Sequence, residues 1–328
     1  MRWRKKLKLK LNKNKYPNKS TEKLKMNKHH TSDRINNTIT LNNNMQMPII
    51  GIGTFKSEDT VSNIYECIKA GFRLIDTALV YKNEEQVGQG IKKAIEDGIV
   101  KRSDLFVVTK LWLSQRHEAE KALKSQLHDL QLEYVDLYLL HWAIPQCVNG
   151  NWDFGIPMHK VWESMENLVE LGLTKAIGIS NMNVQMMLDM MCYAKIKPVV
   201  NQFEINPYFS NEEVRKCCKA LGIEVMAYNS LHKGTYLRIV EDDLFADELI
   251  VEISKKYEKT SAQIVLNWAL MQDVIVIPKS SNLERAKENL EAVNFRLDEA
   301  DVHKIKGLNK NKRYCTGFAF MGGLDNFA

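Results

Sequence analysis

From about residue 38 onward, short apolar runs alternate with stretches whose apolar residues recur every three to four positions. The runs are Ile50–Thr54, Arg73–Thr77, Phe106–Lys110, Leu137–His141, Ala176–Ser180, Val199–Glu204, Glu224–Tyr228 and Val274–Pro278. Runs this short, apolar on both faces, predict strands buried within a parallel sheet. Between them lie helical patterns over Glu58–Ala70, Glu84–Asp97, Arg116–Leu130, Met158–Leu171, Asn183–Tyr193 and Asn211–Leu221. Two more, Asp247–Tyr257 and Ser261–Met271, precede the last strand. A separate pair, Thr38–Leu41 and Gln46–Ile49, flanks Asn42, Asn43 and Asn44, which tolerate the positive φ of a tight hairpin.

Eight such units can close into a barrel or stay open as a doubly wound sheet. An open sheet that binds a dinucleotide carries GxGxxG directly after a strand. Here Gly51 and Gly53 lie inside a strand, while Gly88 and Gly90 lie inside a helix with no third glycine. The pattern favours an α/β fold of the (β/α)8 TIM barrel type, preceded by a β-hairpin.

Charge changes the picture at the start of the chain. Residues 1–36 hold 13 Lys/Arg against Glu22 and Asp33, a net of +11; the whole chain carries +6, so the other 292 residues sum to −5. The basic tail lacks the apolar residues to offset its ordering entropy and is expected to be disordered. It reads as a passive tail, a targeting segment or a polyanion-binding arm, and Met26 is an alternative start to Met1. The expected organisation is thus a tail over 1–36 and one barrel over 37–328. The six cysteines show no CxxC pair and no metal-ligand spacing, so they are expected as reduced, buried thiols. No apolar run reaches the roughly 20 residues that span a bilayer.

Candidate chemistry sits where strands run out. Asp76, Lys110 and His141 end three strand-like runs, and Tyr81 follows Asp76 by five residues. In a parallel barrel those ends converge on the face that carries active sites. An acid, an amine, an imidazole and a phenol at one rim suit proton transfer.

The longer motifs resemble the aldo-keto reductases. They are Gly71-Phe-Arg-Leu-Ile-Asp-Thr-Ala-Leu-Val-Tyr-Lys-Asn-Glu-Glu-Gln-Val-Gly88, Gly178-Ile-Ser-Asn181, Val200-Asn-Gln-Phe-Glu204 and Ile277-Pro-Lys-Ser-Ser281, the last followed by Arg285, Glu288 and Asn289. The resemblance implies NADP(H)-dependent reduction of aldehydes and ketones, with Tyr81, Lys110, Asp76 and His141 as the catalytic four. It assigns Thr54, Ser180, Asn181, Gln202, Tyr228, Leu231, Lys279, Ser280, Arg285, Glu288 and Asn289 to the cofactor. Ser180, Asn181 and Gln202 would hold the nicotinamide carboxamide, and Tyr228 would stack on its ring. Lys279, Ser280 and Arg285 would take the 2′-phosphate, since a guanidinium fork suits phosphate oxygens.

Departures stand at Asn229 and Ser230, where the family often has a small polar residue and proline, and at Asn206, often a histidine. Phe55 and Trp142 are the expected substrate contacts, with Trp112, Trp152 and the segment from Tyr314 to Phe327 as further wall candidates. The C-terminal segments resemble those of sugar and sugar-phosphate reductases. The partners implied are a small carbonyl substrate, with no nucleic acid for the barrel, no membrane, and a cytoplasmic monomer or weak dimer. An NADPH-binding redox sensor acting on a partner protein is the alternative.

Overall fold

The computed structural model describes residues 37–148, 151–232, 242–317 and 322. The expected tail over 1–36 lies outside the described residues, as does most of the loop following Leu231.

A two-stranded antiparallel hairpin, β1 (Thr38–Thr40) and β2 (Gln46–Pro48), opens the described chain. Asn44 takes a φ of 68° in its turn, as expected of asparagine there. Eight parallel strands follow: β3 (Ile52–Gly53), β4 (Leu74–Asp76), β5 (Phe106–Leu111), β6 (Leu137–Leu140) and, after a short hairpin of β7 (Cys147–Val148) and β8 (Asn151–Trp152), β9 (Ile177–Ser180), β10 (Val200–Glu204), β11 (Glu224–Tyr228) and β12 (Val274–Val276). They neighbour one another in chain order. Parallel bridges Ile50–Val276 and Gly53–Lys279 join first to last, and Gly51 N donates to Val276 O at 2.9 Å, so the sheet closes into the expected (β/α)8 barrel.

The period-2 rule sorts every strand into two faces. Leu74, Phe106, Val108, Leu137, Leu139, Val200, Met226 and Ile275 form one cluster that fills the lumen, with Leu41 and Met47 of the hairpin joining it. Their neighbours Ile75, Val107, Tyr138, Leu140, Phe203, Val225 and Ala227 belong to the layer between barrel and helices. Gly178 belongs to the inward set, and a Cβ there would lie 2.6 Å from Leu139 Cδ2 and 2.8 Å from Val200 O. Glycine at that position lets neighbouring strands keep their lumen side chains.

All eight expected strands form, with shorter ends. β3, β4 and β12 end at Gly53, Asp76 and Val276, although the next residues, Thr54, Thr77 and Ile277, still donate their backbone N–H to the neighbouring strands. β5 runs one residue past Lys110 to Leu111, and His141 follows β6 instead of ending it. The Arg116–Leu130 helical pattern forms a helix over Ala119–Leu130 only, and a 3-10 turn, Leu113–Gln115, precedes it. The β7–β8 hairpin had no signal in the apolar pattern. The expected burial of the cysteines holds in part: Cys67 and Cys218 are buried, Cys192 is exposed, Cys217 and Cys315 are half-buried, and the side chain of Cys147 lies outside the description.

Candidate active site

The alternation that fills the lumen also builds the rim. On β4, β5 and just beyond β6, the inward residues above Leu74, Val108 and Leu139 are Asp76, Lys110 and His141. Lys110 is fully buried, and its Nζ donates to Asp76 Oδ1 at 2.7 Å and to Thr77 O at 2.8 Å. The second oxygen, Oδ2, accepts from Gln202 Nε2 at 2.7 Å. Asp76 is thereby held from both sides of the lumen.

Tyr81 arrives by a different route. A 3-10 turn, Leu79–Tyr81, follows β4 and ends at Lys82 with a φ of 57°. Asn83 pins this turn, donating from Nδ2 to Thr54 O at 2.8 Å. The Tyr81 ring centroid then lies 5.1 Å from Lys110 Nζ and 6.0 Å from the His141 ring. The four expected catalytic residues meet at one place.

Electrostatics follow from this burial. Desolvation pushes the Lys110 ammonium down from its ordinary pKa, while the Asp76 charge and hydrogen bond push it back up. Burial, with Lys110 alongside, holds the His141 imidazole well below its usual range. His141 is therefore neutral near pH 7, with one N–H donor and one acceptor nitrogen. Its Nδ1 is buried without a hydrogen-bond partner.

A second polar cluster adjoins the first. Ser180 Oγ donates to Gln202 O at 2.7 Å, and Asn181 Nδ2 lies 3.1 Å from both Ser180 Oγ and His141 O. Tyr228 Oη donates to Asn181 Oδ1 at 2.7 Å. Asn181 has a φ of 58°, a conformation asparagine tolerates. Thr54, just past β3 and bonded through its N–H to Asp76 O, keeps a buried Oγ1 without a partner. Leu231 ends up half-buried near the end of a described segment.

Around the rim, Lys279 is exposed and donates to Ser281 Oγ, while Ser280 Oγ donates to Asn282 O at 2.7 Å. Asn282 caps the helix Leu283–Leu290 by accepting from Arg285 N at 2.9 Å. The exposed Arg285 stands in that first turn, where a helix N-terminus favours anions. Glu288 accepts from Thr260 Oγ1 at 2.6 Å, and Asn289 is buried. Buried amide and hydroxyl groups near Asp76, then two cations with a helix terminus, form a donor set that fits a carboxamide at one end and a phosphate at the other.

Aromatic residues line the same opening. Phe55 packs edge-on to Tyr81 at 5.1 Å, and Trp112 packs edge-on to His141 at 5.1 Å. Trp142 is buried against Leu113 and Ile144, with Trp112 and Trp152 packed alongside. The geometry thus brings Trp112 nearer the quartet than the sequence ranking of Phe55 and Trp142 suggested.

Glu204 was missed as a site residue, although it stands in a quoted motif. Its fully buried carboxylate accepts from Asn229 Nδ2 at 2.8 Å and from the backbone N–H of Tyr314 (3.0 Å) and Cys315 (2.8 Å). It ties the C-terminal segment to the rim. Asn229, which stands where the family often has a small polar residue, has a φ of 51°, a conformation asparagine tolerates.

The site is thus an acid, an ammonium, a phenol and a neutral imidazole gathered at the carboxyl rim of a closed parallel barrel, the face on which barrel enzymes carry their active sites. The family model described as Aldo/keto reductase family matches residues 45–310, and the chain belongs to that family. Aldose reductase B of Dictyostelium discoideum is 37% identical over 304 residues, covering 85% of this chain and 95% of its own. The NADPH-dependent D-xylose reductase of Candida boidinii is 38% identical over 302 residues, covering 84% and 94%. The NADP-dependent D-sorbitol-6-phosphate dehydrogenase of Malus domestica is 36% identical over 298 residues, covering 84% and 95%. A crystal structure of a Bombyx mori aldo-keto reductase in complex with NADP superposes with a TM-score of 0.80 at 35% identity, covering 86% of this chain and 96% of that one. The cofactor in these names agrees with the NADP(H) expected from the sequence.

Proposed function

We propose that the chain is an NADPH-dependent carbonyl reductase whose proton donor is Tyr81. The observation that carries this reading is the buried Asp76–Lys110 pair set beneath the Tyr81 ring and beside a neutral His141. When bound, NADPH supplies the hydride that turns the carbonyl carbon into an alcohol carbon. The carbonyl oxygen gathers negative charge as that happens and must be stabilised and protonated.

Tyr81 gives its phenolic proton to that oxygen. A phenol of ordinary pKa about 10 is a reluctant donor, and the Lys110 ammonium stabilises the phenolate left behind. Asp76 holds the ammonium in place. His141 offers a neutral N–H to the carbonyl oxygen and orients it.

Ser180, Asn181 and Gln202 would hold the carboxamide, with Tyr228 against the nicotinamide ring. Thr54 Oγ1 and Leu231 would add contacts along the cofactor. Lys279, Ser280 and Arg285 would hold the 2′-phosphate, while Glu288 and Asn289 would face the adenine. Phe55, Trp112 and Trp142 would wall the carbonyl site. The names of the relatives make open-chain aldoses and sugar phosphates the first substrate classes to test, beside simple aldehydes.

The test is NADPH consumption by the purified chain against aldehydes, ketones, aldoses and sugar phosphates. Turnover that prefers NADPH to NADH supports the reading. Tight NADPH binding with no turnover across the panel would replace it with a sensor.

A further inference from the structure

One buried carboxyl has no part in the roles described above. Glu84 opens the helix Glu84–Glu96 and is 4% exposed. The Thr109 hydroxyl donates to its Oε1. Gln126 Nε2 lies 3.0 Å and 3.1 Å from its two oxygens and 2.9 Å from Thr109 Oγ1. Tyr138 Oη donates to Gln126 Oε1 at 2.7 Å, which fixes the amide with its NH2 toward Glu84. The same Nε2 is 3.3 Å from Lys110 O.

Thr109 and Tyr138 point away from the lumen, so Glu84 lies behind β5, on the opposite side from the Lys110 ammonium. Among the described residues no cation lies within ion-pair distance of Glu84. The charges acting on it are Lys110 of β5 and Asp129 of the helix Ala119–Leu130; Thr109, Gln126 and Tyr138 face it as neutral groups. Burial raises its carboxyl to about 7. In the other direction, Glu84 and Asp76 are the negative charges that oppose the desolvation of Lys110. The Glu84 charge therefore develops as pH rises through about 7 and is in place in the alkaline range, where a buried lysine is most at risk of losing its proton.

We propose that Glu84 is a positioning residue for the reduction: a second negative charge, behind the Asp76–Lys110 pair, that keeps Lys110 an ammonium beside Tyr81. The proposal rests on the carbonyl-reductase reading above.

The experiment has two arms. In the first, kcat for a turned-over aldehyde is measured against pH for wild type, Glu84→Gln and Glu84→Asp. Glu84→Gln should move the alkaline limb down by about one pH unit, a loss of up to about tenfold in kcat on that side. The KM for NADPH should stay within about twofold, and Glu84→Asp, which keeps the charge, should keep the limb in place. Superimposed profiles overturn the proposal, and so does an equal loss for both variants at every pH, which is the mark of packing.

The second arm needs no turnover. The Glu84 carboxyl is followed by carbon NMR in wild type and in Lys110→Met. Removing the ammonium should raise the Glu84 midpoint by about one unit, because coupling between two sites is reciprocal. An unmoved midpoint overturns the proposal even if Glu84→Gln does not fold. A moved midpoint in a chain that reduces nothing would leave the coupling standing and reject the carbonyl reading alone.

Discussion

Gln202 and Asp76 are 126 residues apart in the chain, yet Gln202 Nε2 donates to Asp76 Oδ2 at 2.7 Å across the barrel lumen. Asp76 Oδ1 is meanwhile taken by Lys110 at the same distance. One carboxylate thus joins the proton-transfer cluster to the amide cluster around Ser180 and Asn181. The orientation of Gln202 and the charge of Lys110 depend on the same group.

That link makes Asp76→Asn informative. The substitution leaves a fully buried ammonium without its counter-charge and confronts the Gln202 amide with another amide. Breaking a buried pair from one side costs about 3–5 kcal/mol, because the remaining charge stays desolvated. Urea denaturation should show a loss of that order, unless Lys110 gives up its proton. In that case kcat falls instead while the fold is kept. Unchanged stability together with unchanged kcat would mean that the pair does not matter.

The two rim cations make a prediction about cofactor choice. Replacing Lys279 and Arg285 with alanine should raise the KM for NADPH by about 10- to 100-fold, the worth of charge-assisted phosphate contacts. The KM for NADH should change by less than about threefold. Steady-state kinetics with both cofactors decide it, and equal effects on both would remove the 2′-phosphate assignment.

Glu84 gives a stability prediction with a definite sign. Its folded pKa, about 7, lies above the ordinary 4.5, so the folded state binds the proton more tightly than the unfolded chain. The stabilisation from that proton is fully present below about pH 4.5 and is lost as pH rises to about 7. Over this window the loss is about 3 kcal/mol, at 1.36 kcal/mol per unit. Glu84→Gln carries no such slope, so its stability relative to wild type should improve by about that amount between pH 4.5 and pH 8. Chemical denaturation at the two pH values measures it, and a constant difference would show that Glu84 titrates normally.

Much of this molecule is readable from alternation. Leu74, Asp76, Val108, Lys110, Leu139 and His141 alternate with residues of the outer layer, so the same rule that fills the lumen sends the polar residue of each run to the rim. Strand ends were less readable. Lys110 lies one residue inside β5, since pairing of Leu111 with Leu140 continues as long as β6 does. Tyr81 depends on a 3-10 turn that Asn83 braces from Thr54, a contact between segments far apart in sequence. Glu84 and Glu85 look alike as acids in a first helical turn, and only the packing of the helix buries the first and exposes the second. The Gln202–Asp76 bond needs the closed barrel before it exists at all.

The proposed reduction turns on Tyr81 as the proton donor to the carbonyl oxygen. Its most direct test is the rate of NADPH consumption with a saturating aldehyde, for wild type and Tyr81→Phe, with NADPH binding measured in parallel by fluorescence. The account predicts a loss of about 10²- to 10⁴-fold in kcat, the worth of a positioned proton donor, with NADPH affinity within about twofold. Turnover that survives Tyr81→Phe undiminished would contradict it.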